Sequence, residues 1–263
     1  MSIYVEILIR APMEALWAHT QTPVLHERWD LRFSRIDYLP RAFDTEPQRF
    51  RYATRIAFGF EVSGEGETAG QRDLTDGSRS SALRFGSGEV LSIIREGSGY
   101  WKYIPTADGI RFLTRYDYCT RFGLAGTLFD RVIFRPVIGW ATAWSFDRLR
   151  LWLEQRVDPA DAVRQTLIHI IARVALAAVF AYQGAVAVTA FGILEIAFAA
   201  ALLFGWRRRW PLHVCLASML LEASFDPFSL NAGGVCLVAI DVLVLGGIPS
   251  AARCLRRPRP AHA

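Results

Sequence analysis

The chain has 263 residues and a formal net charge of +5, and 52% of its residues are hydrophobic. Residues 1–161 carry 21 basic and 21 acidic side chains, whereas residues 162–263 carry 9 and 4. Because the first part is neutral and mixes its arginines with carboxylates, the composition argues against nucleic-acid binding. The four cysteines have no CxxC or zinc spacing, which favours reduced, structural thiols.

The chain begins with alternating apolar and polar residues, which predicts a half-buried strand over 3–9. A basic region followed by a long apolar run is missing here. We therefore expect no signal peptide and a cytoplasmic first half. Pro12 predicts the start of a short helix that reaches about Thr20, and a loop and helical segment follows over 22–39.

Period-two alternation then predicts an antiparallel sheet. One strand is expected over 50–62, and glycine, aspartate and serine clusters separate it from the next ones at hairpin spacing. A sheet with one apolar face needs a cover, which is predicted as a helix over 124–155, kinked at Pro136. The further predicted strands cover 82–85, 89–95, 100–104 and 110–122.

The order of these elements resembles the START-like superfamily, which includes polyketide cyclase-like and lipid-transfer domains. The most typical local feature is the first strand, Ala11-Pro12 and the helix through Trp17. The resemblance implies an α+β helix-grip domain over 1–156 that holds a hydrophobic ligand between sheet and helix. The side chains then expected to line the cavity are Trp29, Tyr52, Ile56, Phe58, Trp101, Tyr116, Trp140 and Trp144. The alternative is that these aromatic residues are ordinary core.

The second half predicts an all-α transmembrane domain over 162–252, after a short polar linker at 157–161. The run from Leu167 to Phe204 is almost uncharged and long enough for two membrane-spanning helices. The linker's Asp161 is placed to cap the first of them. The four predicted spans of this bundle cover 162–183, 189–206, 210–224 and 230–248.

Basic residues set the expected orientation of these spans. If the N-terminus lies inside, Arg164, the arginines at 207–209 and the basic tail at 253–263 all face the cytoplasm, while the two outer turns contain no lysine or arginine. This asymmetry holds only if the short third span crosses the membrane, since otherwise the basic tail and the arginines at 207–209 would lie on opposite sides. The sequence therefore predicts a multi-pass protein of the bacterial inner membrane, with both termini cytoplasmic.

Ionisable residues inside a bilayer are costly and need partners. Arg173 and Glu195 are equally distant in sequence from Gly184, so a hairpin that turns at this glycine would pair them. A structural bridge is favoured over proton transfer or substrate binding. Glu222 and Asp241 are expected to face the interior of the bundle or a wet cavity.

Residues 164–248 resemble the DoxX-like family of small bacterial four-helix membrane proteins. The loop after the first span, where relatives tend to carry a proline-lysine pair, is shortened here to 185–188. The family's link to thiosulfate:quinone oxidoreductase implies redox activity only weakly. The matching positions are Arg173, Gly184, Gly192-Ile193-Leu194-Glu195, the Arg-Trp-Pro at 209–211 and the segment 226–231.

Motifs for chemistry are few. The glycines at 64–70 lack the spacing of a dinucleotide fingerprint and are expected to form a loop. His26 and Asp30 have helical ligand spacing, but two residues do not make a metal site. His169 and His213 would permit a haem bridge, although interface anchoring is the ordinary role of such histidines. The sequence predicts no catalytic residues, no metal and no cofactor.

Three functions stay open at this point. In the first, a cytoplasmic cup binds an apolar molecule such as a lipid, a quinone or a polyketide-like metabolite, and the bundle keeps the cup at the bilayer. In the second, the chain is a subunit of a quinone-linked membrane oxidoreductase. In the third, it is a structural membrane protein without a small-molecule ligand. The sequence does not indicate an oligomeric state.

Overall fold

The computed structural model describes residues 2–43, 45–55, 60–186, 190–204, 214–215, 217–218 and 253–255. The chain divides into two compact units. Unit 1 combines residues 1–160 with 251–263, and unit 2 covers 161–250. Most of the third predicted span, the whole of the fourth and most of the basic tail lie outside the described residues, as do Ile56, Phe58, Glu222 and Asp241.

Unit 1 is an α+β fold built on one antiparallel sheet, in the strand order β2-β3-β4-β5-β6-β7-β1-β8. Seven strands come from the first 120 residues, and β8 joins β1 from the far end of the chain. The strands are β1 Ile3–Ile9, β2 Arg35–Tyr38, β3 Arg49–Arg55, β4 Glu61–Asp73, β5 Arg79–Gly86, β6 Ile94–Thr106, β7 Gly109–Thr120 and β8 Arg253–Leu255. The helices are α1 Met13–Gln21, α2 Pro23–Trp29, α3 Gly123–Phe129 and α4 Arg135–Gln155.

The long helix α4 packs across β1, which is consistent with the expected helix-grip arrangement. The core lies between the sheet and the helices. Phe112 of β7 stacks on Phe146 of α4 with 4.5 Å between ring centroids, and Tyr103 and Leu149 are fully buried beside them. Burial of such large apolar side chains is the main stabilising contribution to a fold of this kind.

The strand predicted over 50–62 is wrong, because β3 and β4 form a hairpin that pairs Arg55 with Glu61. The glycine segment predicted as a loop lies inside β4. Its glycines make room for aromatic rings from β3. A Cβ atom on Gly64 would collide with the ring of Tyr52 and lie 2.5 Å from the carbonyl oxygen of Gly86. Glycine is thus used here for close approach rather than for a turn.

Two other strand predictions need correction. Only the end of the strand predicted over 89–95 is a strand, because residues 89–93 precede β6, which begins at Ile94 and also contains the strand predicted over 100–104. Its glycines interrupt the apolar alternation, and a Cβ on Gly97 would lie 2.6 Å from the ring of Phe85. The segment predicted as loop and helix over 22–39 also contains the short strand β2.

The helix predicted over 124–155 is in the expected place but is not one regular helix. A π-helical turn over Asp130–Phe134 separates α3 from α4. This turn ends just before Pro136, which lies in the first turn of α4. A proline has no backbone N–H to donate to a helical hydrogen bond. The π turn precedes the proline, and the kink at Pro136 itself stays a prediction.

Two helices form the described part of unit 2, namely α5, Pro159–Val186, which begins at the end of unit 1, and α6, Ala190–Phe204. Within the described part of the chain, α5 is the one helix that is long and apolar enough to cross a bilayer, and the apolar stretch of α6, Gly192–Leu203, is shorter. The two helices pack through a small apolar cluster that includes Leu176, Phe180 and Leu202.

Gly184 lies inside α5 and not in the predicted turn. A Cβ atom there would lie 2.5 Å from the carbonyl oxygen of Gly192, so this glycine allows close contact with α6. The buried Arg173 donates from Nη1 to the carbonyl oxygen of Leu202 at 3.0 Å. The symmetry about Gly184 therefore no longer supports a pairing of Arg173 with Glu195, and that pair stays a prediction.

Candidate functional site

The interior of unit 1 contains a buried polar cluster formed by His26, Asp30 and Arg32. Helix α2 ends at Trp29, and the N–H of Asp30 still donates to the carbonyl oxygen of His26 at 3.1 Å. The chain leaves the helix there with an extended backbone. His26 and Asp30 thus lie one helical turn apart, and Arg32 follows two residues later, so local geometry alone brings the three side chains together.

The carboxylate of Asp30 accepts a fork of hydrogen bonds from Arg32. Oδ1 accepts from Nε at 2.9 Å and Oδ2 accepts from Nη2 at 2.6 Å. Oδ1 also accepts from the backbone N–H of Arg32 at 3.1 Å, and His26 Nε2 lies 3.0 Å from Oδ2. The side chain of Asp30 is fully buried, whereas those of His26 and Arg32 each keep 12% exposure.

Asp30 and Arg32 form an ion pair within the cluster. Burial by itself would raise the pKa of Asp30, but the charge of Arg32 and hydrogen bonds from Arg32 and His26 hold that pKa well below its usual range. Burial would likewise lower the pKa of Arg32, and the carboxylate of Asp30 raises it instead. Both groups are therefore charged at neutral pH, and Asp30 is not available as a proton donor.

Aromatic rings surround this ion pair. His26 stacks on Trp29 with 4.9 Å between ring centroids, and it meets the rings of Trp101 and Phe33 edge-on at 5.0 and 5.3 Å. The guanidinium carbon of Arg32 lies 5.4 Å from the ring centroid of Phe33 and 5.6 Å from that of Tyr116. Such contacts combine an apolar surface with a cation–π attraction.

Helix α4 fixes the other side of the cluster. The hydroxyl groups of Tyr116 and Thr142 are hydrogen-bonded at 2.9 Å, and the N–H of Leu31 donates to Ser145 Oγ at 2.9 Å. Thr142 and Ser145 are both fully buried on the inner face of α4. The cluster therefore connects α2, the sheet and α4 at the position where the helix-grip arrangement was expected to hold a ligand.

The predicted cavity residues separate into groups. Trp29, Trp101 and Tyr116 surround the ion pair, and Tyr52 joins them through Phe33, with 5.6 Å between those ring centroids. Burial raises the pKa of Tyr52 to about 12, so its hydroxyl stays neutral and donates to the carbonyl oxygen of Gly86 at 3.3 Å.

Trp140 and Trp144 form a separate pair, 4.9 Å apart, and Trp140 is half exposed. The structure thus does not bring these two tryptophans to the ion pair.

Sequence reasoning considered His26 and Asp30 only as metal ligands and overlooked Arg32. The sequence pattern that could have indicated the ion pair is Asp30 with His26 one helical turn before it and Arg32 two residues after it. Among the residues that the structure describes, no group of three or more His, Cys, Asp or Glu side chains is arranged to hold a metal. Both carboxylate oxygens of Asp30, which a metal ion would need as ligands, already accept hydrogen bonds from Arg32.

A separate open groove of about 580 Å³ lies over strands β3 to β7. Its charged lining residues include Arg49, Glu65, Glu67, Arg84, Glu96 and Asp117, and none of the predicted cavity residues contributes to it. This groove is open and lies apart from the predicted cavity residues. The aromatic cluster around Arg32, and not this groove, is the candidate site.

No family model matches the chain. Among solved structures, a STAR-related lipid transfer protein fragment from Xanthomonas axonopodis is 15% identical and has a TM-score of 0.45, covering 58% of this chain and 85% of that one. The protein jhp0584 of Helicobacter pylori is 16% identical with a TM-score of 0.45, covering 59% of this chain and 88% of that one.

A curated relative matches almost the whole chain. The uncharacterised membrane protein YndG of Bacillus subtilis (strain 168) is 42% identical over 270 residues, which cover 97% of this chain and 97% of the relative. Identity of this extent over both units indicates one common fold and one common domain order. The chain belongs to the family of YndG.

Proposed function

We propose that unit 1 binds a hydrophobic molecule at the aromatic cluster around Arg32 and that unit 2 holds unit 1 at a membrane. The observation that carries the proposal is the ion pair of Asp30 and Arg32 inside an aromatic interior. Binding sites for small apolar molecules are mostly apolar, with a few fixed polar groups that orient the ligand. The partly exposed His26 and Arg32 would be those groups.

The cost of burial supports a functional role for the pair. Removing two charges from water costs several kcal/mol per ion, and well-packed apolar residues of similar volume often serve stability as well or better. Asp30 is nevertheless fully buried with Arg32 beside it. Retaining charge at this position is therefore better explained by recognition of a polar end on an otherwise apolar molecule.

Three observations support the proposal that unit 2 lies in a membrane. The relative YndG carries the name of a membrane protein. Helix α5 has 28 residues and contains an 18-residue stretch with a mean hydropathy of 1.6, enough to cross a bilayer. The chain also leaves unit 1 after residue 160 and rejoins it at β8, which pairs with β1. A segment that leaves a water-facing unit and returns to it must cross the membrane an even number of times.

An even number agrees with the proposed four spans and with both termini on one side, and the distribution of basic residues favours the cytoplasm of a bacterium as that side. The DoxX-like resemblance over 164–248 belongs to the same proposal. It rests on the residues of α5 and α6 quoted above and on positions beyond the described ones. We assign no redox role to this unit.

The test is to purify the full chain from its native membrane and to identify small molecules that copurify, by mass spectrometry and absorbance. The variant Asp30→Asn/Arg32→Met removes both charges together, so that neither remains buried and unpaired. The matched control is Arg28→Met, which alters a half-exposed arginine paired with Asp158.

A lipid or similar apolar molecule in stoichiometric amount, present in the control and lost in the double variant, is the expected result. A quinone or flavin bound to unit 2 and unaffected by the double variant would favour an oxidoreductase subunit instead. Absence of any bound molecule would refute ligand binding. The comparison requires that the full chain, the control and the double variant have the same circular dichroism spectrum, which shows that all three are folded.

A further inference from the structure

The helix that follows β7 carries an exposed apolar surface on its outer side. Leu124 is 91% exposed, and equally large side chains with more than half of their surface exposed follow it along α3, the π turn and the start of α4. Monomeric soluble proteins rarely leave a contiguous apolar surface of this kind in water. We define the apolar ridge as Leu124, Leu128, Val132, Val137 and Trp140.

The π turn keeps this ridge on one face. Leu124, Leu128 and Val132 are four residues apart, the spacing of one helical face. The turn over Asp130–Phe134 adds one residue, and Val137 follows Val132 after five. The opposite side of the same segment is packed, since Gly126, Asp130 and Gly139 are buried. The ridge is therefore an outer surface and not a displaced part of the core.

Asp130 holds the π turn in this form. Its side chain accepts from the hydroxyl of Tyr118 at 2.6 Å and from Nε of Arg135 at 2.9 Å, and the residue is only 4% exposed. Asp130 is the single acidic residue between positions 121 and 146. The surface around the ridge thus presents the exposed Arg131 and no exposed carboxylate from this segment.

The loop between β5 and β6 extends the ridge. The N–H of Arg121, just before α3, donates to the carbonyl oxygen of Ile93 at 2.9 Å, and its guanidinium donates to the carbonyl oxygen of Ser87. Val90 and Leu91 lie in the loop held by these bonds, and both are strongly exposed. The loop's acid, Glu89, is bound to the backbone N–H of Ser63 at 3.0 Å.

We infer that the apolar ridge and this loop dock into the anionic surface of the membrane that α5 enters. Apolar residues flanked by arginine, without exposed carboxylates, match the boundary between lipid head groups and acyl chains. The inference rests on the proposed membrane insertion.

Depth-dependent quenching in nanodiscs tests whether the apolar ridge docks into the bilayer. The full chain, with its four cysteines replaced by alanine, receives a single cysteine for a bimane label at Val132 or at Leu74. Leu74 follows β4 and precedes β5, so the length of β5 separates it from the loop at 87–93. The bilayer is phosphatidylcholine with phosphatidylglycerol, and a fraction of the lipids carries a spin label near the head group.

We expect quenching at Val132→Cys to be several-fold stronger than at Leu74→Cys, and to weaken when phosphatidylglycerol is omitted. The variant Leu128→Glu/Val137→Glu should abolish the quenching at position 132 while the melting temperature stays unchanged, since both replaced side chains are exposed. Equal quenching at both positions, or stronger quenching at Leu74, would overturn the inference.

Two further outcomes identify other causes. Energy transfer between labels on two protomers, without quenching by lipid, would show that a second copy covers the ridge and would also overturn the inference. A chain that does not enter nanodiscs at all would disprove the proposed membrane insertion itself, which is a different failure from an inserted chain whose ridge stays in water.

Discussion

Arg148 of α4 donates from Nε to the carbonyl oxygen of Pro159, the first residue of α5, at 3.1 Å. Its Nη2 also donates to the carbonyl oxygen of Arg28 at the end of α2, at 2.7 Å. One buried guanidinium therefore joins the core helix of unit 1 to the point where the chain departs. Burial lowers the pKa of Arg148 to about 10, so it remains charged at neutral pH.

Replacing Arg148 by methionine should lower the stability of unit 1. Two carbonyl groups lose a charged donor, and hydrogen bonds to charged groups contribute about 1.5–3 kcal/mol each. We expect a loss of about 2 kcal/mol, measured as the midpoint of chemical unfolding in detergent by circular dichroism. The matched control, Arg164→Met, removes a surface arginine paired with Asp161 and should change stability little. Equal effects of both variants would contradict the anchoring role of Arg148.

The ion pair at the candidate site predicts strong non-additivity. Asp30→Asn alone leaves Arg32 buried without its counter-charge and should cost about 3–5 kcal/mol. Adding Arg32→Met should recover much of this loss, because the remaining groups are neutral. A double-mutant cycle from unfolding midpoints measures the coupling. If the two changes were additive, the pair would not act as one unit.

Acid should weaken unit 1 through Asp30 in a definite direction. Its pKa is lowered in the folded state, whereas the unfolded value is about 3.9. The stabilisation is therefore complete above pH of about 4 and is lost as pH falls through the folded value, because the unfolded chain binds the proton first.

The measurement for this effect is the melting temperature from neutral pH to strongly acidic pH. The decrease below pH of about 4 should be steeper for the wild type than for Asp30→Asn/Arg32→Met, which lacks the titrating group. Parallel curves would exclude Asp30 as a contributor. Other carboxylates with lowered pKa values, such as Asp158, act equally in both proteins.

Gly64 tests the hairpin of β3 and β4. Gly64→Ala places a methyl group against the ring of Tyr52 and the carbonyl oxygen of Gly86, so we expect a loss of about 1–3 kcal/mol. Gly88→Ala is the control, since no atom lies within 4 Å of its added Cβ. Thermal unfolding of the two variants provides the comparison, and an unperturbed Gly64→Ala would show that Tyr52 can move aside at little cost.

Glu195→Gln tests the predicted intramembrane pair with Arg173. If the two side chains interact, the neutral amide should lower the melting temperature in detergent by several degrees, as loss of a partner for a buried charge does. Arg173→Met should then produce a similar decrease that does not add to the first. A normal melting temperature for Glu195→Gln would leave Arg173 with its contact to Leu202 and no role for Glu195 in stability.

The sequence by itself determined the order and kind of most elements. The alternation over 3–9, the helix after Pro12 and the helical repeat between 124 and 155 are local patterns, and local backbone sterics and amphipathicity decide them. The apolar run that became α5 was equally evident. The predicted strand boundaries were wrong at glycines, because Gly64 and Gly97 make room for aromatic rings on neighbouring strands. The sequence does not distinguish a glycine that forms a turn from one that allows a close approach.

Only the tertiary structure decided the candidate site and the surface of the segment that begins α4. The sequence could place His26 one turn before Asp30, but it could not show that α4 and the sheet enclose that turn, which is what makes the pairing with Arg32 costly and specific. The same holds for Trp140, whose exposure depends on which face of α4 meets the sheet. The pairing of β8 with β1 joins residues some 250 positions apart, a relation that no local pattern contains.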